Sequence, residues 1–449
     1  MPQTQPGQQS DFMIEKIKER PINKRKLIRR TVITAAMAVI FGLIACLTFL
    51  LLEPVISRKL YPEEKPAPVT FPEDPEEMDP EEMLSQNLPA DGEQTDPGEN
   101  ISLEQGQIQE ILSGIVLNKE NYGQIYSAMS VYVSELNHSM VTVTGVSSNM
   151  DWFNNMEEQE EQSSGLIIAN NGKELLILAD YGPLQKAESL TMTFSFLDNS
   201  AGPVYRIPVA LKAQDPTTDL AVLSVNLADL PGEVQELGGL EIATLGSSNG
   251  KNIVGTPVVA LGSPMGNNGS VGYGIITATG TRSHQADTNY KLLQTDIYGS
   301  HSAGGVIFNL QGQVIGIITN RSIDPDMRDM VTAYGISEIK RIIEKMSNGE
   351  EIAYLGINGI DVTNEAYEEL NVPYGAFVRE VEMNSPAMQA GIQQGDVLTA
   401  FDERSIRNYS DYITALMQAE ADSSVELTVM RAVQGRYREM SIRVTLGTR

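Results

Sequence analysis

Short runs of β-forming residues, separated by Gly, Asn and Asp, recur along the chain from residue 140 to residue 319. They read MVTVTGV, GLIIAN, ELLILAD, LTMTFSF, LAVLSV, TPVVALG, GYGIITATG and QVIGIIT. Many short strands with frequent turn signals are typical of an all-β barrel or sandwich. The central part of the chain is therefore predicted to be dominated by β-structure.

A helix and a second folded unit are predicted after this region. Ser337 is expected to cap a helix with the sequence ISEIKRIIEKMSNG, which ends at Gly349. Asn408 and Asp411 form an N-cap pair for a later helix, YSDYITALMQA. Strands are expected near residues 376–382, 396–401, 424–431 and 439–446. Residues 354–449 are thus predicted to form a separate unit that mixes helix and strand.

The N-terminal segment joins a basic stretch to a long apolar one. Residues 1–30 carry a net charge of +5, and Thr31–Leu52 is an uncharged, mostly apolar run of 22 residues. At about 1.5 Å per residue, such a helix crosses a hydrocarbon core of about 30 Å. The positive-inside tendency places the N-terminus in the cytoplasm and the remainder outside. A cleaved signal peptide is the alternative, although the run exceeds the ~7–15 residues usual for a signal core.

Two segments separate the apolar run from the β-rich region. Residues 53–100 are rich in Pro, Glu and Asp and have few apolar residues to offset the entropy of ordering, so they are predicted to form a disordered stalk. Residues 101–135 place isoleucine and leucine at helical spacing, which indicates a packing or spacer helix.

Charge and cysteine content exclude some classes of function. The whole chain has a formal charge of −27, and its acidic part beyond residue 30 would repel nucleic-acid phosphates. Its single cysteine, Cys46, excludes an intrachain disulfide. We found no Cys/His/Asp cluster with metal-ligand spacing and no phosphate-binding glycine loop, so neither a metal nor another cofactor is expected.

Several segments together resemble a known family. A glycine-rich turn, GSHSAGGVIFN, spans Gly299–Asn309 and leads into a strand. It follows, in order, SSGLIIANNGKELLILADY, DPTTDLAVLSV, VALGSPMG and SVGYGIITATG, and it precedes YLGINGIDVT, GAFVREVEMNSPAMQAGIQQGDVLTAFD and VELTVMR. This order resembles the HtrA/DegP family over residues 135–449. The resemblance implies a trypsin-like double β-barrel followed by an α+β PDZ domain, behind an N-terminal transmembrane helix.

The resemblance also implies where a serine-protease triad would lie. That chemistry needs an attacking serine hydroxyl, a histidine that takes its proton and an aspartate that orients the histidine. Only the aspartate is present, as Asp219. The serine position holds Ala303 and the histidine position holds Gly182. The interval from Asp296 to Ala303 is one residue shorter than is usual in the family, which disfavours a formed oxyanion hole.

The three histidines leave one alternative to the loss of catalysis. They are His138, His284 and His301, so the first barrel beyond its opening strand contains no imidazole. His301 lies between Ser300 and Ser302, and a rearranged Ser–His dyad in this turn would be an alternative active site. Neighbouring residues in a tight turn rarely point their side chains at each other, which disfavours that alternative.

By the same resemblance, the C-terminal unit offers a peptide-binding site. A PDZ domain adds an extended peptide to a sheet edge, and backbone N–H groups of one loop hold the peptide's terminal carboxylate. The expected loop residues are Tyr354, Leu355, Gly356 and Ile357. Ile413 and Leu416, on the following helix, are candidates for the groove wall, with ordinary core packing as the alternative. The turn around Gly391, Gly395 and Asp396 is expected to be structural.

An acidic stretch, WFNNMEEQEEQ, occupies Trp152–Gln162 between the first two predicted barrel strands. Its charge favours a solvated loop. The alternative is that Trp152 and Phe153 are exposed anchors for a partner subunit.

These features predict a membrane-anchored pseudoprotease of HtrA type. Its expected parts are a basic tail (1–30), a transmembrane helix (31–52), a stalk (53–100), a trypsin-like domain with its leading helix (101–350) and a PDZ domain (351–449). It is expected at the cell membrane as a single-pass protein whose C-terminal domains are extracytoplasmic. There it would bind polypeptide C-termini or unfolded proteins, as an adaptor, chaperone-like protein or regulator in envelope protein quality control.

The family resemblance implies a homotrimer or an association with an active relative, and nucleic acid is not an expected partner. Two alternatives remain at this point. One is an active serine endopeptidase with a rearranged catalytic site, and the other is a purely structural, trimer-forming protein.

Overall fold

The computed structural model describes residues 66–74, 119–150, 156–194, 205–232, 241–283, 285–321 and 329–449, together with helical residues between 32 and 48. The chain divides into two compact units, residues 1–65 and 66–449. In the first unit the described residues are exposed, and the Thr48 hydroxyl donates to the Ile44 carbonyl at 2.9 Å. No helix within the described residues is long and apolar enough to cross a membrane, so the span over Thr31–Leu52 stays a prediction.

The first barrel of the second unit follows helix α1 (Lys119–Leu136). Its strands are β1 (Met140–Met150), β2 (Met156–Asn170), β3 (Glu174–Asp180), β4 (Ser189–Phe194), β5 (Ile207–Pro208), β6 (Ala210–Asp215) and β7 (Leu220–Asn226). They form one antiparallel sheet in the order β5-β4-β1-β2-β3-β7-β6. Buried side chains such as Val143, Ile177 and Leu223 fill its core. Short 3₁₀ turns lie at Asn137–Ser139, Gly182–Leu184 and Leu227–Asp229.

The second barrel is closed. Its strands are β8 (Thr244–Leu245), β9 (Pro257–Ser263), β10 (Ser270–Ala278), β11 (Arg282–Ser283), β12 (Tyr290–Tyr298), β13 (Gly304–Asn309), β14 (Gln313–Ile318) and β15 (Met330–Gly335). Strands pair in the order β10-β9-β13-β14-β15-β12, and β10 also pairs with β12, which completes a ring of six. Closure leaves this ring without an unpaired edge.

A separate core, the inter-barrel core, lies between the two barrels and against helix α2 (Ile336–Asn348). It joins side chains of the first barrel, such as Leu178, to those of the second, such as Phe308, and Ile339 and Ile343 of α2 pack on it. The helix ends as predicted, since Gly349 takes the left-handed C-cap conformation with φ of 67°. The prediction that Ser337 caps this helix is wrong. The N-cap residue is Gly335, and the Ser337 hydroxyl instead accepts from the Ser248 backbone N–H at 2.8 Å.

The C-terminal domain, which the resemblance predicts to be a PDZ domain, contains β16 (Ala353–Tyr354), β17 (Ile357–Asp361), α3 (Asn364–Leu370), β18 (Ala376–Val381), α4 (Pro386–Ala390), β19 (Val397–Phe401), β20 (Arg404–Ser405), α5 (Tyr409–Gln418), β21 (Ser424–Val433), β22 (Arg436–Thr445) and β23 (Gly447–Thr448). Its main sheet runs β17-β18-β19-β21-β22. Asn408 caps α5 as predicted, because its side chain accepts from the Asp411 N–H at 2.8 Å. Asp411 returns the contact by accepting from the Arg407 N–H.

Two segments differ from their sequence-based predictions. Residues 156–162 of the acidic stretch belong to β2 and pair with β1 rather than forming a loop, and the side chains of residues 158–162 are exposed. Trp152 and Phe153 lie outside the described residues. Residues 66–74, within the predicted disordered stalk, belong to the second unit and contact helix α2. The Asn348 side chain hydrogen-bonds to both the N–H and the carbonyl of Val69, and Asp74 pairs with Lys340 at 2.7 Å.

Candidate functional site

Asp219, the predicted surviving triad position, follows the turn between β6 and β7. The buried Asp215 carboxylate accepts from the N–H groups of Thr217 and Thr218 and from the Thr218 hydroxyl, which fixes the turn. Asp219 follows in a left-handed conformation, with φ of 63°, and its N–H donates to the Asp215 carbonyl. An aspartate tolerates this conformation better than most residues. The turn thus presents the Asp219 carboxylate at the cleft between the barrels.

Gly182 lies directly beside that carboxylate. Its chain segment is tied to the turn, because the Tyr181 N–H donates to the Asp219 carbonyl at 2.8 Å. A Cβ atom built on Gly182 would lie 3.0 Å from Asp219 Oδ2 and 3.4 Å from Asp180 Oδ1. The structure therefore brings two of the three predicted triad positions together, and the residue facing Asp219 has no side chain.

Ala303 ends the glycine-rich turn and is buried, with 3% of its surface exposed. Its backbone N–H donates to the Ser300 carbonyl at 3.0 Å, and the Asn320 amide donates to the Ala303 carbonyl at 2.6 Å. In serine proteases the N–H of the nucleophile residue is one of the two donors of the oxyanion hole. Here that N–H is already used inside the turn, so this donor does not point at a substrate carbonyl.

Arg321 is the cation that faces Asp219. Its Nε and Nη2 atoms lie 3.1 and 2.9 Å from Asp219 Oδ2, and its Nη1 donates to the Pro216 carbonyl at 2.6 Å. A guanidinium stays protonated at any physiological pH and cannot accept a proton. Arg321 is therefore ion-paired with the carboxylate that would orient a histidine in a triad, and it cannot itself act as a base.

A cleft of about 650 Å³ opens beside Gly304 and is lined by Asp180, Ser302 and the exposed Glu160 and Glu161. Burial raises the pKa of Asp180 to about 6, against the lowering effect of the Gly182 N–H, which donates to Oδ1 at 3.0 Å. The nearby Asp219 charge raises this pKa further, and Arg321 lowers it. The cleft floor therefore holds a carboxyl group that is partly protonated near pH 6.

Asp180 is expected to make stability pH-dependent. Its folded-state pKa of about 6 exceeds the ordinary value of 3.8, so the folded protein binds this proton more tightly than the unfolded chain. The free energy of unfolding should therefore fall as pH rises from 4 to 7, by up to about 3 kcal/mol from this group. Asp180→Asn keeps the acceptor for Gly182 but does not titrate. The variant should match the wild type at pH 4 and be more stable at pH 7.

Urea unfolding at several pH values measures this difference. Asp229→Asn is the matched control, because Asp229 is exposed and its substitution should leave the pH dependence unchanged. A wild-type-minus-Asp180→Asn difference that stays constant from pH 4 to pH 7 would contradict the assignment.

The histidines provide no base within the described part of the chain. His301 is exposed, and none of the described side chains hydrogen-bonds to its imidazole. The flanking hydroxyls of Ser300 and Ser302 bond to each other at 2.9 Å. His138 lies in the 3₁₀ turn that precedes β1, and His284 is outside the described residues. Nor do the described residues contain a group of His, Cys, Asp and Glu that would hold a metal ion.

The predicted carboxylate loop of the PDZ domain is occupied. The backbone N–H groups of Leu355, Gly356 and Ile357 all donate to the side chain of Asp287, at 2.7, 2.7 and 3.1 Å. Tyr354, the first predicted loop residue, donates its hydroxyl to Glu382 instead. A buried carboxylate from the second barrel thus lies where the resemblance places a peptide's terminal carboxylate.

The predicted groove residues differ in their surroundings. Leu416 is 1% exposed and belongs to the PDZ core, while the half-buried Ile413 packs against both this core and the inter-barrel core. On α5, the Tyr409 hydroxyl donates to the Ile357 carbonyl at 2.9 Å, and the Tyr412 hydroxyl donates to the Asp287 carboxylate at 2.5 Å. A Cβ on Gly359 of β17 would lie 2.5 Å from the Tyr409 ring, so that ring packs against the strand.

Comparisons with known proteins agree with this architecture. The family model of the trypsin-like peptidase domain matches residues 163–317, and that of the PDZ domain matches residues 353–444. A probable periplasmic DegP-like serine endoprotease from Marinomonas sp. (strain MWYL1) is 33% identical over 53% of this chain. The chain belongs to the HtrA/DegP family. Mitochondrial serine protease HTRA2 from Drosophila persimilis is 28% identical over 66% of the chain and 68% of its own length.

The matches cover only part of some relatives. The chain spans about half of the Marinomonas relative, with 49% of that protein covered. Among solved structures, the HtrA-type protease AlgW with decapeptide has a TM-score of 0.50 at 20% identity, covering 71% of this chain and 97% of its own. At this identity the structural match shows a shared fold, a pair of trypsin-like barrels followed by a PDZ domain.

Sequence reasoning missed two residues of the candidate sites. Arg321 and Asp287 are single charged residues in loops, and each finds its partner far along the chain, 102 residues away for Asp219 and 68 for Leu355. No local spacing pattern marks such a contact. Tyr409 and Tyr412 carried a weak signal, because both lie on one face of the predicted helix that borders the loop.

Proposed function

We propose that this chain is a catalytically inactive HtrA-family protein, anchored in the membrane, that binds polypeptide C-termini or extended segments through its PDZ domain. It acts as an adaptor, chaperone-like protein or regulator in envelope protein quality control. One observation carries the proposal. Asp219, the surviving triad position, faces Gly182 and is paired with Arg321 instead of an imidazole, while Ala303 stands at the nucleophile position.

The chemistry supports inactivity at three separate steps. Ala303 has no lone pair with which to attack an amide carbon, and Arg321 accepts no proton from a nucleophile. The Ala303 N–H is committed to the Ser300 carbonyl, so the developing negative charge of a tetrahedral intermediate would lack one donor. Loss of any one of these elements slows serine-protease chemistry by about 10² to 10⁶-fold.

The PDZ domain supports the binding half of the proposal. Its loop presents three consecutive N–H groups to a carboxylate, which is the arrangement that recognises a peptide's terminal carboxylate. The family relatives are named as proteases, and the solved AlgW structure is described with decapeptide. A chain that keeps the peptide-binding loop and lacks the nucleophile would hold a polypeptide without cutting it.

The N-terminal half supports the proposed location and assembly. The basic tail and the apolar run over Thr31–Leu52 favour a single-pass anchor with the folded unit outside. Exposed apolar side chains cluster on one face of α1, including Tyr122, Ile125 and Tyr126, and the Tyr126 ring lies against Tyr273 with ring centroids 6.5 Å apart. Such a face supports self-association, in a homotrimer or with an active relative.

Peptide binding by the full chain tests the proposal. Hits from a C-terminal peptide display should bind in calorimetry as free acids, and their C-terminally amidated twins should bind at least tenfold more weakly. Gly356→Ala should abolish binding, because Gly356 has φ of 86° and its Cβ would lie 2.3 Å from the Ser385 Cβ. Gly391→Ala is the matched control, with φ of 84° and open space around its Cβ.

Equal binding of free and amidated peptides would contradict terminal-carboxylate recognition. No free-acid hit on any form of the chain would contradict peptide binding altogether and would favour the purely structural alternative.

An active endopeptidase remains the second candidate, on one observation. Ser302 is exposed beside His301 in the turn that borders the cleft, and its hydroxyl bonds to that of the half-buried Ser300. A fluorophosphonate probe labels an activated serine covalently. Labelling that is lost on Ser302→Ala would support this candidate, and absence of labelling would end it.

A further inference from the structure

The β11–β12 connection delivers an acidic side chain to the PDZ domain. Ala286, Asp287 and Thr288 are all buried there, and Asp287 is 2% exposed in a left-handed conformation with φ of 53°. The Thr288 N–H and hydroxyl both reach the Gln285 carbonyl at 3.2 Å, which tightens the turn. The turn thereby projects one carboxylate out of the second barrel.

That carboxylate is fully satisfied by the PDZ domain. Its Oδ2 accepts from the Leu355 and Gly356 N–H groups, and its Oδ1 accepts from the Ile357 N–H and from the Tyr412 hydroxyl at 2.5 Å. Burial raises the pKa of Asp287, and these four donors oppose that rise. A carboxylate taken out of water is tolerated only when it is paired or hydrogen-bonded in this way.

The backbone of Asp287 continues the same contact. Its N–H donates to the Ile357 carbonyl at 2.8 Å, so residue 287 forms a main-chain hydrogen bond with β17, the strand to which a bound peptide adds. One residue thus supplies both a carboxylate to the loop and a backbone donor to the strand. These are the two features by which an added peptide's last residue is held.

We infer that Asp287 acts as an intramolecular ligand of the PDZ carboxylate loop, so that the protease-like barrel and incoming polypeptide C-termini compete for one site. The inference rests on the proposed peptide-binding function and assigns its regulation. A peptide carboxylate binds only when the Asp287 contact opens, and its apparent affinity is reduced by the open fraction. By linkage, a bound C-terminus frees the loop from the β11–β12 turn.

The full chain with Asp287→Ala tests competition. Free-acid peptides should bind this variant at least tenfold more tightly than the wild type, while amidated twins should gain nothing. Asp229→Ala removes an exposed acidic group elsewhere and should leave affinity unchanged. Asp287→Asn, which keeps the size of the side chain and loses the charge, serves if the alanine variant does not fold and should also bind more tightly.

Amide hydrogen exchange supplies a readout that needs no peptide. In the wild type the amides of Leu355, Gly356 and Ile357 should be protected from exchange. In Asp287→Ala these amides should exchange at least tenfold faster. Acetate, a free carboxylate, should slow their exchange again in the variant alone.

The outcomes separate the two proposals. Equal and tight free-acid binding by wild type and Asp287→Ala overturns the competition and leaves the peptide-binding function standing. Unprotected loop amides in the wild type overturn it as well. No free-acid binding by either form overturns the peptide-binding function, and the proposed regulation with it.

Discussion

Gly305→Ala is expected to destabilise the protease-like domain by about 4 kcal/mol. Gly305 lies in β13 directly after the glycine-rich turn, with φ of 110°, and pairs with Gly262 of β9. A Cβ at this position would lie 2.2 Å from the Leu261 carbonyl oxygen, which is a backbone atom inside the closed barrel. The ladder must separate to admit it, since no side chain can rotate away.

Gly172→Ala separates this clash from backbone strain. Gly172 has a similar positive φ of 86°, but its Cβ would meet nothing within 4 Å. Strain alone is expected to cost about 1–2 kcal/mol. Chemical unfolding of both variants measures the comparison. A Gly305→Ala cost no larger than that of Gly172→Ala would show that β9 and β13 do not approach each other as described.

Ala303→Ser is expected to leave peptide hydrolysis at background. The new hydroxyl would have no general base, because Gly182 offers no side chain and Arg321 holds Asp219. The N–H of residue 303 would still be bonded to the Ser300 carbonyl. In a complete triad, removing the base alone costs about 10⁶-fold in rate, and a missing oxyanion donor a further 10²-fold or more.

A casein-cleavage assay on purified full-length Ala303→Ser measures this. Wild type is the matched control, since both should give the same background rate. A gain of more than about tenfold over the wild type would mean that the cleft already contains a competent base, and the account of the Asp219–Arg321 pair would then be wrong.

Much of the fold is predictable from sequence for a physical reason. Core strands such as β3 and β9 are continuous apolar runs, and β-type runs bounded by turn residues mark strands without further information. The acidic part of β2 was not predicted as a strand because charged side chains are typical of a solvated loop, and those of residues 158–162 are exposed. Its strand character comes from backbone pairing with β1, which needs no apolar side chain.

The sites were only half predictable. Motif order predicts triad positions at Asp219, Gly182 and Ala303, and the structure places Gly182 beside the Asp219 carboxylate. The pairing of Asp219 with Arg321 could not be predicted from the sequence, because the two residues meet only when both barrels have folded. The PDZ loop was located by its sequence, whereas its occupant, Asp287, lies in another domain and carries no motif.

The stalk prediction shows the same limit. Residues 66–74 have the acidic, proline-rich composition of a disordered segment, yet Val69 is 8% exposed and is held at both backbone groups by Asn348. Composition reports how little apolar surface a segment can bury on its own. Composition does not show that the segment binds to a helix whose Asn348 lies 279 residues further along the chain.

Time-resolved mass spectrometry of a defined, unfolded polypeptide incubated with the full-length protein tests the central claim most directly. Both the wild type and the double variant Ser300→Ala/Ser302→Ala should leave the polypeptide intact. The mass spectra of the two incubations should be the same over the whole time course. Fragments that accumulate with the wild type and disappear with the double variant would contradict the claim that this HtrA-family chain holds polypeptides without cutting them.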